Sequence, residues 1–404
     1  MPNRIHELVN QQVLDRLREP LLDAARGLPA SIYTEAQVLA LEREQLFPST
    51  WFSIAFDTDV PSPGDAVPLT VYGLPLLLVR DQDRQVHVLH NVCRHRATKV
   101  VESACSGNKT LKCPYHGWVY GLDGELKATP FWDGTPEAKN IPVDVSANSL
   151  VPVQAEVWNH IVFVNLTGNA GPLIDYLRPM DAELAHLDIP ALEPGHRRTW
   201  EFAANWKLVM ENWEVYHHVW VHEGVFDRMS DEVDLKTGEP YTEMIADGNC
   251  MFLRYLPNRP QATADDSRPK LPSVPRRRER STPHSIANAV LPNTTVTISD
   301  TTYAPAIYVP VEPGVTQARM AWYFEAEAAT GDTHAAARDA AIDRWLGPTR
   351  RYEDMAGIRP QDHHCMELQQ QARSSPVADD VKFSITWEAN VRFFQDWYVR
   401  QFGL

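Results

Sequence analysis

Apolar side chains recur at helical spacing near the amino terminus, at Leu8, Val13, Leu17, Leu21, Leu22 and Ala25, and Gly27 and Pro29 end the run. The pattern predicts a helical arm over residues 1–45 that packs on a larger catalytic body. From Trp51 the texture changes to short β-rich runs punctuated by Pro and Gly, at 67–72, 75–80, 86–92 and 158–166, which predicts a β-domain over 46–168. Beyond it, strand patterns at 251–256, 294–298, 306–311 and 317–324 mix with helical patterns at 205–222, 334–345 and 361–373. That mixture predicts an α+β domain over 169–404. Residues 258–285 interrupt the pattern with Pro260, Pro269, Pro272, Pro275 and Pro283 and with the run Arg276-Arg277-Arg278-Glu279-Arg280. They predict a mobile surface loop whose arginines are candidates for docking an acidic redox partner. No internal repeat is visible.

At 404 residues and 44% hydrophobic content, the chain is long enough for two or three domains with sizeable cores. Its 38 basic and 53 acidic residues leave a charge of −15, which argues against nucleic acid as a partner. Five cysteines in scattered positions give no disulfide framework and point to a reducing compartment. The amino terminus mixes Arg4, Arg16 and Arg18 with Glu7, Asp15 and Glu19, without the apolar core of a secretory signal, and no apolar run spans a membrane. The expected location is cytoplasmic.

Two cysteine–histidine pairs then narrow the chemistry: Cys93-Arg94-His95 and Cys113-Pro114-Tyr115-His116, with 17 residues between them. Two thiolates and two imidazoles are the ligands of a Rieske cluster, a [2Fe–2S] centre in which histidines hold one iron. A tetrahedral zinc site uses the same atoms and is the competing reading. The single gap and the sequences Cys-Arg-His-Arg and Cys-Pro-Tyr-His-Gly-Trp favour the cluster.

A second constellation runs from Asn205-Trp206-Lys207 through Glu211, Trp213, Glu214 and Tyr216 to His217, His218, Trp220 and His222. Two histidines and one carboxylate form the facial triad that holds non-haem iron and leaves positions open. His217 and His222 are the expected pair, although five residues place them about 140° apart on an ideal helix, so the helix must distort or end between them. Glu214 shares the face of His217. His218 points elsewhere on an ideal helix. The carboxylate is open between Glu214 and Asp362, the latter in Gln361-Asp362-His363-His364-Cys365-Met366-Glu367, with Glu353, Asp354, His363, His364 and Glu367 as local competitors and a helix cap as the alternative role.

Taken together, the two constellations resemble the oxygenase α subunit of the ring-hydroxylating Rieske non-haem iron oxygenases, over essentially the whole chain. The resemblance implies a Rieske β-domain and a helix-grip-like catalytic domain, in which a curved antiparallel sheet wraps a long helix. It implies one [2Fe–2S] cluster on Cys93, His95, Cys113 and His116, and one Fe(II) on His217, His222 and Asp362. Glu214 would bridge His116 of one subunit to His217 of the next in a head-to-tail homotrimer. Electrons would come from NAD(P)H through a separate flavin-containing reductase, sometimes by way of a ferredoxin, and dioxygen would oxidise a small organic substrate. Most relatives carry Asp at the bridge; Glu214 resembles members that act by monooxygenation or N-demethylation on quaternary ammonium compounds such as carnitine, glycine betaine and stachydrine. Trp213, Trp220, Tyr303 and Trp322, with Tyr216, Tyr308 and Tyr323, are candidates for a cation-holding aromatic pocket, core packing being the alternative. Hydroxylation or dihydroxylation of an aromatic compound, and a pure Rieske electron carrier without oxygenase activity, are the competing functions.

Overall fold

The computed structural model describes residues 4–135, 141, 143–214, 217–222, 225, 232–257, 270–279 and 285–404. The chain divides into two compact units, one formed by Pro48–Ala170 and the other by Met1–Phe47 with Gly171–Leu404.

In the smaller unit, six antiparallel strands lie in the order Phe52–Phe56, Ile161–Asn165, Pro152–Trp158, Val86–His90, Leu74–Arg80 and Ala66–Val71. The hairpin between the last two turns through Tyr72 and Gly73 at φ 53° and 83°, the paired left-handed conformation of a two-residue turn that matches strand twist. A three-stranded sheet, Leu111–Lys112, Val119–Tyr120 and Leu126–Ala128, packs its apolar side chains with those of the larger sheet. Leu77, Leu89, Leu111, Trp118, Tyr120 and Leu126 form a core that also takes in Cys93 and Cys113.

The larger unit holds a seven-stranded antiparallel sheet in the order Glu193–Phe202, Val315–Phe324, Tyr303–Glu312, Thr294–Ile298, Ser285–Val290, Cys250–Tyr255 and Thr242–Asp247. Six of these strands form a meander, and Glu193–Phe202 closes on Val315–Phe324 across a long sequence gap. That strand carries His196, Arg197, Arg198 and Glu201 among its apolar residues, so its polarity hid it from the hydrophobic pattern. The helix Trp206–Glu211 packs on the helices Ile358–Ala372 and Ala389–Arg400 and on the strand Tyr303–Glu312.

Two predicted helices are broken. The amino-terminal run becomes Arg4–Leu8 and Gln11–Leu17, because Asn10 accepts a hydrogen bond from Val13 N (3.1 Å) and starts a second helix. Among the described residues, the expected helix over 205–222 is α-helical at Trp206–Glu211 and continues in 3₁₀ turns at Asn212–Glu214 and Val219–Val221, in a segment rich in β-branched and aromatic residues of low helix propensity.

Part of the predicted loop over 258–285 is anchored. Among its described residues, Val274 is buried and its N–H donates to Asp300 O (2.7 Å). Arg277 binds Asp188 (2.8 Å) and Arg276 faces Asp300 (3.5 Å), so these arginines already have acidic partners within the chain. Residues 258–269 and 280–284, with Arg280, lie outside the described residues. No helix among those described is long and apolar enough to cross a membrane.

Candidate metal centres

The two cysteine–histidine pairs sit on two loops closed in the same way. Cys93 N donates to Thr98 O (2.8 Å) and Ala97 N to Cys93 O (3.0 Å); Cys113 N donates to Trp118 O (2.8 Å) and Gly117 N to Cys113 O (3.1 Å). In each loop the fourth residue after cysteine takes a left-handed conformation, Ala97 at φ 56° and Gly117 at φ 72°. Both cysteines are buried, and burial together with the neighbouring Cys93 pushes the Cys113 thiol up. The His95 and His116 rings lie 4.5 Å apart, and His95 stacks on Trp118 (5.0 Å, 7°). His95 Nδ1 is buried and has no hydrogen-bond partner among the described residues. An orphaned imidazole nitrogen beside two buried thiols fits a cluster that takes both as ligands. Around it, Tyr120 OH lies 3.3 Å from Cys93 Sγ and accepts from Arg94 N (3.2 Å), while His116, Tyr115, Phe131 and Trp132 are exposed.

In the larger unit, the structure gathers His218, His222 and Asp362, whose donor atoms lie within 4.8 Å of one another. Asp362 Oδ1 is 3.3 Å from His218 Nε2 and 3.4 Å from His222 Nε2, and Oδ2 faces the buried Arg359 guanidinium (3.8 Å). Burial pushes the Asp362 carboxyl up, but the His218 hydrogen bond and the charges of His222, His218 and Arg359 outweigh it and hold the group well below its ordinary range. Burial pushes His222 down, toward the neutral form a metal requires. Two imidazoles and an ionised carboxylate converging in a buried site fit the non-haem iron triad.

Two of the expected donors, His222 and Asp362, therefore meet, and the third corner differs from the expectation. His217 turns its Nδ1 to Glu388 Oε1 (3.1 Å) and stacks on Trp387 (6.2 Å, 13°). Because the helix ends before Asn212, ideal-helix angles do not apply here, and the 3₁₀ turn at Val219–Val221 brings His218 beside His222, with rings 5.3 Å apart. Tyr216 and the side chain of Glu214 lie outside the described residues.

The other candidates near Asp362 serve the fold. His363 is fully buried, stacked on Phe202 (3.9 Å, 12°), and its Nδ1 accepts from Trp200 Nε1 (3.0 Å). Burial, then Arg359, drives its pKa down to about 3. Glu367 accepts from Ala203 N (2.9 Å) and Asp354 from Thr349. Of the aromatic candidates, Trp213 and Trp322 are buried with indole N–H groups that lack partners among the described residues. Trp322 lies against His196 (5.4 Å), whereas Tyr303 pairs with Tyr323 (5.8 Å), which strand alternation places on the opposite sheet face from Trp322. Trp220 is 60% exposed.

The pattern also passed over a buried polar frame behind the metal segment. Glu42 accepts from Lys207 Nζ (2.6 Å), Tyr398 OH (2.7 Å) and Trp206 Nε1 (2.9 Å). Lys207 is enclosed by the rings of Trp206, Tyr398 and Tyr33 at 5.2, 5.2 and 5.6 Å. Glu211 accepts from Tyr33 OH and Gln395 Nε2 (3.0 Å) and faces Arg373 (3.7 Å). The advance signal was the pair of charges Lys207 and Glu211 in an otherwise apolar short helix.

A cysteine–histidine cluster module joined to a two-histidine-one-carboxylate domain defines the Rieske non-haem iron class of two-centre metalloproteins. The family model for the ring hydroxylating alpha subunit (catalytic domain) matches residues 189–403, and that for the Rieske [2Fe-2S] domain matches residues 50–141. The chain belongs to the ring-hydroxylating alpha subunit family, and the zinc reading of the cysteine–histidine pairs gives way to the cluster. It is 28% identical over 228 residues to the glycine betaine monooxygenase oxygenase subunit of Pseudomonas aeruginosa, covering 55% of this chain and 52% of the relative. It is 30% identical over 208 residues to the carnitine monooxygenase oxygenase subunit of Acinetobacter pittii, covering 51% and 55%. The chain thus spans about half the length of these curated relatives in the matched region. The fold matches the crystal structure of the quaternary ammonium Rieske monooxygenase CntA in complex with substrate gamma-butyrobetaine, with TM-score 0.73, 21% identity and coverage of 96% of this chain and 98% of that one.

Proposed function

We propose that the protein is the terminal oxygenase component of a multicomponent system, which uses dioxygen and reductase-derived electrons to oxidise a quaternary ammonium compound by monooxygenation or N-demethylation. The observation that carries this reading is the buried convergence of His218, His222 and Asp362 in a chain that also presents His95 and His116 beside two buried thiols. The iron would supply dioxygen chemistry and the cluster one-electron transfer. The chain's own groups do the rest. His222 and Asp362 hold the metal together with an imidazole of the His217-His218 pair, where the geometry presents His218, while motif spacing and the Glu388 contact support His217. Arg359 balances the Asp362 charge from the side away from the histidines. His116 is proposed to pass electrons outward, a role that its exposure on its unit supports. Glu214 is proposed to receive them in a neighbouring subunit of a homotrimer, as a carboxylate accepting from two imidazoles. A flavin-containing NAD(P)H reductase, with or without a ferredoxin, is the proposed electron source.

The quaternary ammonium assignment rests on Glu214 and on the glycine betaine and carnitine relatives. The test is oxygen uptake by anaerobically purified, iron-replete protein with a reductase, offered betaines, carnitine and arenes in turn. Uptake coupled to loss of a methyl group from a quaternary ammonium supports the proposal. Uptake with arenes alone moves the substrate to the aromatic class, and cluster reduction without any uptake leaves an electron carrier. Glu214→Gln should keep both metals yet slow reoxidation of the cluster; loss of iron instead would make Glu214 a ligand.

A further inference from the structure

We propose that Gln361 is a positioning residue that fixes the tautomer of His222, and that it does so because the backbone carbonyl of Met355 fixes the Gln361 amide. The inference rests on the metal site proposed above and concerns how one of its imidazoles is aimed.

A neutral imidazole carries one N–H and one lone pair, and only the lone pair binds a metal. Nδ1 of His222 lies 3.2 Å from Gln361 Oε1, while Nε2 faces Asp362 Oδ1 at 3.4 Å. An amide has a donor end and an acceptor end, so the contact on one side dictates what it offers on the other. Gln361 Nε2 donates to Met355 O at 3.0 Å. A carbonyl only accepts; turning the amide round would set two acceptor oxygens together. The acceptor end of Gln361 therefore meets His222, Nδ1 carries the proton, and the Nε2 lone pair points toward Asp362 and the metal position. Met355 itself has a left-handed φ of 53°, uncommon for a residue with a side chain. The chain thus holds this carbonyl within reach of Gln361 by a backbone conformation that side chains disfavour. Gln361 and Asp362 are consecutive and both buried, so one turn of the helix Ile358–Ala372 supplies a metal ligand and the group that orients another.

The test uses the full-length protein, depleted of mononuclear iron and retitrated anaerobically with Fe(II), with nitric oxide added so that the high-spin iron–nitrosyl EPR signal reports occupancy and ligand symmetry. Gln361→Met keeps the length of the side chain and removes both amide contacts. Orienting partners of this kind contribute about 10–100-fold to metal affinity. Gln361→Met should therefore weaken Fe(II) binding by about 10–100-fold and broaden or shift the nitrosyl signal, with cluster absorbance unchanged. Gln361→Glu, which again offers Nδ1 an acceptor but no donor to Met355 O, should restore only part of the affinity. If Gln361→Met loses the cluster as well, Gln361→Asn, which withdraws the same amide by one methylene, carries the same expectation. Parental affinity and an unchanged nitrosyl signal in Gln361→Met or Gln361→Asn would overturn the proposal. His222→Ala separates the two readings: if it retains Fe(II), the metal site itself is misassigned, and if it loses Fe(II) while Gln361→Met does not, only the role of Gln361 fails.

Discussion

The two centres solve one problem, holding a metal with a few side chains, in opposite ways. At the cluster, each loop carries its cysteine and histidine within four residues, and each loop closes on its own backbone through the same pair of hydrogen bonds. At the mononuclear site, candidate donors from residues 217–222 and from Asp362 meet across about 140 positions of sequence, and the side chains that contact the histidines, Gln361 and Glu388, come from equally far along the chain. The first arrangement is local and largely set by backbone geometry. The second exists only when the domain is packed.

The sharpest way to test that separation is to delete one ligand at each centre. Cys93→Ala should abolish the cluster and its sulfide while the protein still takes up mononuclear Fe(II), and Asp362→Ala should do the reverse, leaving about two irons and two sulfides per chain. Iron, acid-labile sulfide and EPR measured on both variants decide it; joint loss of both metals in either variant would show that the centres depend on each other for folding. The same assay on His217→Ala and His218→Ala assigns the third ligand, which is the variant that loses mononuclear iron.

The contrast also explains what could be read in advance. Spacing alone sufficed to propose Cys93, His95, Cys113 and His116 as cluster ligands, because a motif closed within its own loop leaves its signature in adjacent residues. His222 was proposed from the histidine-rich segment itself, but Asp362 was singled out only through resemblance, since nothing near it distinguishes it from Glu367 or His363 until packing shows Glu367 accepting from Ala203 N and His363 stacked on Phe202. The choice between His217 and His218 turns on where the helix ends, and the break after Glu211 has no Gly or Pro to announce it. Strand periodicity revealed much of the meander but missed Glu193–Phe202, whose alternation carries charged residues, and the helix Ala389–Arg400, whose buried Asn390 and Gln395 blur its apolar face. The partners of Lys207 are drawn from residues 33, 42 and 398, a convergence that no local window contains.

That frame yields the next largest effect. Lys207 and Glu42 are both fully buried, and removing one partner of a buried ion pair strands the other charge at a cost of about 3–5 kcal/mol. Lys207→Met should lower the unfolding free energy of its unit by that order, read by denaturant titration of tryptophan fluorescence. The double variant Lys207→Met with Glu42→Leu should recover much of the loss, because no charge is then left unpaired. Equal destabilisation of single and double variants would show that the aromatic enclosure, and not the ion pair, sustains the frame.

The cluster unit offers the smaller, matched perturbation. Asn91 is buried where the first cluster loop returns to the core, and its side chain accepts from Val100 N (2.9 Å) and Val101 N (3.0 Å) while donating to Val101 O (2.7 Å). Asn91→Ala leaves those backbone groups without that partner, at about 1–3 kcal/mol for buried unsatisfied donors. Because the loop holding Cys93 and His95 keeps its own backbone closure through Thr98 and Ala97, the cluster should still assemble, but bleach several-fold faster under a chelator, with Fe(II) uptake at the other centre unchanged. A cluster that fails to assemble in Asn91→Ala would mean that the loop is not self-sufficient, and the contrast between a locally set centre and a tertiary one would have to be abandoned.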